Sequence, residues 1–250
     1  MGIGTTRGNR HARGMAPGWY WSSHQSPDRS PKSRRLGTFD ERSTMVAPVA
    51  RTEYFPTFGD AYELRVELRG IRPKIWRSLQ VPLEYALDEL HDVLQLAFGW
   101  ENSHLHDFEV NAIRFGMVDV EDEIFAVDEC AAPLGALATP GSKFLYRYDF
   151  GDDWEHDIIV TGVVECDRKE RHSPPLLCTG GARACPLEDS GGPHGYMQNL
   201  KILADPDHEE YPDTKTWVGR GYDPEKFNIT VVNKKLATLA RKLERRHIRP

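Results

Sequence analysis

Residues 61–82, AYELRVELRGIRPKIWRSLQVP, alternate apolar and polar side chains on both sides of Gly70. Alternation with a period of two is typical of a strand with one buried and one wet face. The stretch therefore predicts a β-hairpin. In the first strand Tyr62, Leu64, Val66 and Leu68 share one face, and in the second Ile75, Arg77, Leu79 and Val81 share one face.

Downstream of the hairpin, the pattern changes to helical spacing over 87–98 and ends at Gly99. Alternation returns in HLHDFEVNAIRFG (104–116), KFLYRYDFG (143–151) and WEHDIIVTGVVE (154–165), which predict strands, whereas 166–192 reads as a long loop. Three helices are predicted within 194–206, 208–219 and 223–246. Strands that precede helices predict an α+β fold, with a bent mixed or antiparallel sheet and the helices packed on one side.

Residues 1–52 show neither periodicity and are rich in Gly, Ser, Pro and Arg. We expect a disordered basic tail there, followed by one domain over 53–250. Three interpretations of the tail stay open. It is a flexible segment, an over-extended start with the true start near Met45, or an Arg-rich transit peptide.

Charge is divided unevenly along the 250 residues, which contain 32 Arg or Lys and 38 Asp or Glu. Residues 1–51 hold nine basic and three acidic residues and so carry +6, which leaves −12 for the remainder. The acidic domain is expected to repel nucleic acid unless a local basic patch prevails, and the tail could contact it non-specifically.

No apolar run approaches the roughly 20 residues that span a bilayer, and the first residues lack a signal-peptide pattern. We therefore expect a soluble cytoplasmic protein with no membrane partner. In that compartment its four cysteines, Cys130, Cys166, Cys178 and Cys185, are expected to be thiols or ligands rather than disulfides.

Five motifs, in order, resemble the plasmid pRiA4b ORF-3-like family: YELRVELRGIRPKIWRSLQVP, LDELHDVLQLAFGWENSHLHDFEV, YRYDFGDDWEH, ACPLEDSGGPHGYMQNLKILADPDHEEY and FNITVVNKKL. The resemblance covers roughly Ala61 to Leu243. It implies a compact α+β roll of uncharacterised activity, in a group of which some members are labelled transposon passenger or resolvase-like and so are associated with mobile elements.

His104 and His106 are two residues apart, which on a strand places both imidazoles on one face. Such a pair can bind a divalent metal such as zinc, or can sit half exposed without one. His156, on another predicted strand, could join them. Cys178 and Cys185 are separated by six residues of a glycine-rich segment that could fold back to bring two thiolates together, either as metal ligands or as a redox pair.

YDFGDDWEH (148–156) reads first as a tight turn, because Gly and Asp tolerate a positive φ. Asp149 and Glu155 are candidates for a general base beside a bound metal. In LEDSGGPHGY (187–196) a helix is expected to start near His194, with Asp189 and Ser190 placed for turn or cap hydrogen bonds.

The leading hypothesis is a binding or interaction module for an unidentified protein or small molecule. One alternative is a metal-dependent hydrolase-type enzyme that uses the His and Cys residues as ligands. The other is weak association with DNA through the basic tail.

Overall fold

A computed structural model describes residues 59–117, 127–165 and 176–247 of the chain. Its strands are β1 (Ala61–Leu68), β2 (Trp76–Pro82), β3 (His106–Val110), β4 (Ile113–Gly116), β5 (Val127–Asp128), β6 (Lys143–Tyr148), β7 (Trp154–Val164) and β8 (Leu177–Ala182). Its helices are α1 (Leu87–Phe98), α2 (Leu134–Leu137), α3 (Gly192–Ala204), α4 (Tyr211–Val218) and α5 (Ile229–His247), with a short 3₁₀ turn at Glu129–Ala131. The predicted tail over 1–52 and Cys166 lie outside the described residues.

All eight described strands form a single sheet in the order β5-β4-β3-β6-β7-β1-β2-β8. Neighbouring strands are antiparallel except β4 and β5, which are parallel. The predicted α+β class and mixed sheet are confirmed. None of the described helices is long and apolar enough to cross a membrane.

One face of the sheet carries the core, because burial alternates along each long strand. The buried side chains of this face include Leu64, Val66, Leu79, Phe108, Tyr146, Trp154 and Ile158. Helix α1 packs on this face, where the Ala97 carbonyl accepts a hydrogen bond from buried Arg77. The opposite face carries ion pairs, such as Arg65 with Glu67 at 3.0 Å.

The predicted bounds of α1 coincide with the observed helix. Its apolar positions form one stripe, and Gly99 ends it in the left-handed conformation, with φ 101°. The interpretation of 166–192 as a long loop is wrong for residues 177–182. These form β8 against β2, with Leu79 opposite Cys178. Paired glycines hid this strand because Gly180 and Gly181 contribute no apolar side chain to an alternating pattern.

Candidate metal centre

The turn between β6 and β7 fixes the carboxylate of Asp149. Asp149 adopts φ 58°, and its Oδ1 accepts hydrogen bonds from the amides of Gly151 at 3.0 Å and Asp152 at 3.3 Å. This is the local pattern that favours Asp in turns. The turn in 148–156 therefore engages Oδ1 of Asp149. The other carboxylate oxygen, Oδ2, faces a neighbouring segment.

The connection between β8 and α3 docks on that turn. The Gly191 amide donates to Asp152 Oδ2 at 3.0 Å. Gly192 lies so close that a Cβ built on it would be 2.5 Å from the Asp152 carbonyl oxygen. The Ser190 hydroxyl donates to the Leu187 carbonyl. Helix α3 begins at Gly192 with Gly191 at its N-cap position, so the expected start near His194 was two residues too late and Ser190 is a turn residue.

A third segment, between α1 and β3, packs against the same two connections. Its backbone is held by side chains: the Glu101 amide donates to Glu188 Oε1 at 2.7 Å, and the Ser103 amide donates to the Tyr148 hydroxyl at 3.0 Å. The Asp149 amide donates in turn to the Leu105 carbonyl at 2.9 Å. These bonds hold the backbone on both sides of His104.

The three connections converge at a carboxylate–histidine cluster, formed by His104, Asp149, Glu188 and Asp189. Nε2 of His104 lies 3.6 Å from Asp149 Oδ2, 3.4 Å from Asp189 Oδ1 and 3.7 Å from Glu188 Oε2. Ligand atoms of His104, Asp149 and Asp189 all lie within 4.8 Å of one another, which no other trio of His, Cys, Asp or Glu achieves in the described parts of the chain.

Within the described residues, no lysine or arginine forms an ion pair with the acids of this cluster. The described ion pairs of Asp149, Glu188 and Asp189 are all with the single imidazole of His104. Glu188 Oε1 accepts a hydrogen bond from the Tyr148 hydroxyl at 3.0 Å, and burial raises the pKa of that tyrosine. Glu188 Oε2 is buried and has no hydrogen-bond partner among the described residues. An unpartnered buried carboxylate oxygen is costly, and a cation at this point would remove the cost.

His106 lies beside the cluster but uses its ring differently. Its Nε2 is 3.0 Å from Glu129 Oε2, and its ring stacks on His91 with the centroids 3.5 Å apart. His91 is held by the Tyr146 hydroxyl and by Asn102 Oδ1, both at 2.8 Å. Burial lowers the pKa of His91 to about 3.

An open pocket of about 600 Å³ joins His104 to these stacked rings. Both histidines line this pocket, but β3 begins at His106, so His104 precedes the strand and the expected pair on one strand face is not formed. His106, however, is not one of the three grouped ligands. The remaining lining residues include Asp88, His91, Asp92, Asn102, Glu129 and Arg246.

His156 lies inside the core, away from the cluster. Trp100 Nε1 donates to its Nε2 at 3.3 Å, and its Nδ1 lies 3.1 Å from the Trp154 carbonyl. Because an indole nitrogen can only donate, Nε2 accepts and Nδ1 carries the proton. Burial lowers the pKa of His156 to about 4. Both ring nitrogens are therefore occupied, and the structure gives His156 no free ligand atom.

Cys178 and Cys185 are buried free thiols. The Cys178 thiol donates to the Gly180 carbonyl at 3.2 Å, and burial raises the pKa of both thiols. Neither sulfur belongs to a group of three candidate ligands in the described part of the chain. The structure thus does not bring these cysteines to the histidines, and their metal role stays a prediction.

The two candidate bases are separated by the sheet. Asp149 belongs to the cluster, whereas Glu155 is on the opposite face of β7 from Trp154 and His156 and pairs with Arg69 at 2.9 Å. Sequence reasoning missed Glu188 and Asp189 as members of the site and assigned Asp189 to a turn. The signal that could have found them is an acidic pair directly before Gly-Gly, where the chain turns sharply.

Comparison with known proteins extends the resemblance. Residues 60–231 match the family described as plasmid pRiA4b ORF-3-like protein. A curated relative, the uncharacterized protein y4hQ of Sinorhizobium fredii (strain NBRC 101917 / NGR234), is 39% identical over 186 residues, which are 73% of this chain and 94% of the relative.

A solved structure shares the fold. The crystal structure of the protein of unknown function MM3350 from Methanosarcina mazei Go1 has 36% sequence identity and a TM-score of 0.63, and the likeness covers 70% of this chain and 98% of that one. The matched range contains His104, Asp149, Glu188 and Asp189. With motifs, fold and more than two thirds of its length in agreement, the chain belongs to the plasmid pRiA4b ORF-3-like family.

Proposed function

We propose that the chain is a binding module for a divalent cation, held by His104, Asp149 and Asp189. Imidazole and carboxylate are both zinc ligands, so Zn²⁺ is the probe ion for this site, and the two carboxylates also suit Mn²⁺. The cytoplasm remains the expected compartment. The link with mobile elements remains an expectation from the family resemblance.

The spacing of the ligand atoms carries the proposal. Two ligands that each lie about 2.1 Å from a tetrahedral ion are about 3.4 Å from each other. His104 Nε2 lies 3.4 Å from Asp189 Oδ1 and 3.6 Å from Asp149 Oδ2. Two of the three ligand spacings therefore match those around a zinc ion, and all three ligand atoms lie within 4.8 Å of one another.

The test is a calorimetric titration of the metal-stripped full chain with Zn²⁺. We expect one ion per chain, and at least about a tenfold loss of affinity in His104→Ala and in Asp149→Asn, because each removes one of three ligands. His194→Ala is the matched control, since His194 is exposed on α3. Unchanged affinity in His104→Ala would place the ion elsewhere and defeat the proposal.

A metal-dependent hydrolase is the second candidate, and Glu188 favours it. Its Oε2 has no hydrogen-bond partner in the part of the chain that the structure describes and lies 3.7 Å from His104 Nε2, within reach of a water on an ion held there. A carboxylate in that position can take a proton from the water. In this view Glu188 replaces Asp149 and Glu155 as the base.

Glu188→Gln separates the two candidates. For an enzyme, we expect the variant to retain Zn²⁺ affinity and to lose at least about a hundredfold in turnover of a generic ester or phosphodiester such as bis(4-nitrophenyl) phosphate. If the Zn²⁺-loaded wild-type chain turns over none of these probes, the binding module stands alone.

A further inference from the structure

Helix α5 carries six basic side chains that the cation site does not use. They form a basic stripe, defined as Lys234, Lys235, Arg241, Lys242, Arg245 and Arg246. All six are exposed. At 3.6 residues per turn they fall within an arc of about 140° and extend over about 18 Å of helix. Their positions leave the opposite side of α5 to the buried residues Leu236 and Leu243.

Little of the stripe's charge is paired within the described part of the chain. The ion pairs found between described residues involve none of its six members. Glu244 lies at the edge of the stripe. Burial raises the pKa of Tyr85, and the negative charge of Glu244 adds to that rise. From α1, Asp92 lies close enough for two stripe charges to act on it. Burial raises the pKa of Asp92, and the charges of Lys242 and Arg246 act against that rise.

An apolar hollow lies inside the stripe. It has a volume of about 500 Å³ and is lined by Leu96, Leu239, Thr238 and the stems of three stripe lysines. At the start of the same helix Val231 is 47% exposed. A surface for a phosphate backbone needs cations alone, whereas this one combines cations with a seat for apolar side chains.

We propose that the basic stripe and its hollow form a docking surface for an acidic protein segment with apolar anchor residues. Carboxylates of the segment pair with the lysines and arginines, and its anchors enter the hollow between Leu96 and Leu239. Charge complementarity selects an acidic partner even though residues 52–250 are acidic as a whole, because the six cations lie together on one helix face.

Fluorescence anisotropy with the full chain tests this surface. The probe is a labelled peptide of about twelve residues, mostly Glu and Asp with two leucines, beside a matched peptide with serines in their place. We expect the leucine peptide to bind at least about tenfold more tightly than the serine peptide. The double variant Lys235→Glu/Lys242→Glu is expected to lose at least about tenfold in affinity.

The matched control is Lys201→Glu/Lys215→Glu, with one substitution on α3 and one on α4. It changes the net charge by the same amount as the α5 double variant and leaves residues 1–51 unchanged. It is expected to bind the leucine peptide like wild type. Equal losses in both double variants, or no binding of the peptide, would overturn the proposal. Tighter binding of a DNA duplex of about 20 base pairs than of the peptide, lost in the Lys235/Lys242 variant, would overturn it in favour of nucleic acid.

Discussion

His104 contacts carboxylates that come from two separate connections, Asp149 before β7 and Glu188 and Asp189 before α3. None of these acids is a sequence neighbour of the histidine. The site therefore depends on the fold rather than on a local motif. Removing the His104 side chain should weaken cation binding. It should leave the hydrophobic core intact, because this side chain is 29% exposed.

His156 affects stability through its proton. Its pKa is about 4 in the folded chain against an ordinary value of 6.5, so between these values the unfolded chain binds more protons. The neutral ring thus contributes stability that is fully present above pH 6.5 and is lost as the pH falls toward 4. Over that window the loss is about 3 kcal/mol.

We expect His156→Gln to flatten the pH dependence of the unfolding free energy by about 1.4 kcal/mol per pH unit in that window. The measurement is urea denaturation at several pH values between about 4 and 7. His91, which is also shifted downward, will keep part of the slope. If His156→Gln has the same slope as wild type and as the exposed-site variant His194→Ala, the account of this buried ring is wrong.

Residue types predicted part of the site. His104 and Asp149 were candidates because an imidazole and a turn carboxylate are recognisable in a sequence. His106 and His156 were candidates for the same reason, but Glu129 engages Nε2 of His106, and Trp100 and the Trp154 carbonyl engage both ring nitrogens of His156. Tertiary hydrogen bonds of this kind leave no trace in spacing along the chain.

At the scale of secondary-structure elements, the site forms only while two of the segments that connect these elements pack against each other. The turn after β6 and the segment before α3 meet where Gly192, with φ 67°, lies against the Asp152 carbonyl. An alanine there adds a Cβ 2.5 Å from that oxygen. The connection must then move, and Asp189 moves with it.

We expect Gly192→Ala to weaken Zn²⁺ binding at least about tenfold and to reduce the unfolding free energy by about 1–3 kcal/mol. Calorimetry and urea denaturation measure the two effects. Gly219→Ala is the control, because Gly219 has φ 75° but no atom within 4 Å of an added Cβ. The same loss of Zn²⁺ affinity in both variants would show that docking of these connections does not position the ligands.

Elements with a strong period were predictable, and those without one were not. Helix α1 has an apolar stripe and a terminal glycine, so its limits were predicted correctly. Strand β8 reads LCTGGA, and its place is set by contacts with β2 and by the ring of Phe227, which fills the space beside Gly181. Such a strand is stabilised by packing against residues that are distant in sequence. The local pattern of apolar and polar residues therefore does not reveal it.

For the whole molecule, the family match covers 60–231 and the described core begins at Ala61, so we expect the basic residues 1–51 to contribute little to folding. A chain shortened to begin at Met45 should therefore unfold within about 0.5 kcal/mol of the full chain and bind Zn²⁺ equally. Urea denaturation and calorimetry check this. Non-specific duplex binding should be lost with the removed residues and should fall with salt in the full chain. A shortened chain that still binds a duplex tightly would contradict the electrostatic division of the molecule.

Anomalous diffraction from crystals of the Zn²⁺-loaded chain tests the central claim most directly. We expect one peak about 2.0–2.2 Å from His104 Nε2 and from carboxylate oxygens of Asp149 and Asp189. A peak at Cys178 and Cys185, or full zinc occupancy elsewhere with the cluster unoccupied, would contradict the claim that three connections of this fold converge to hold a cation.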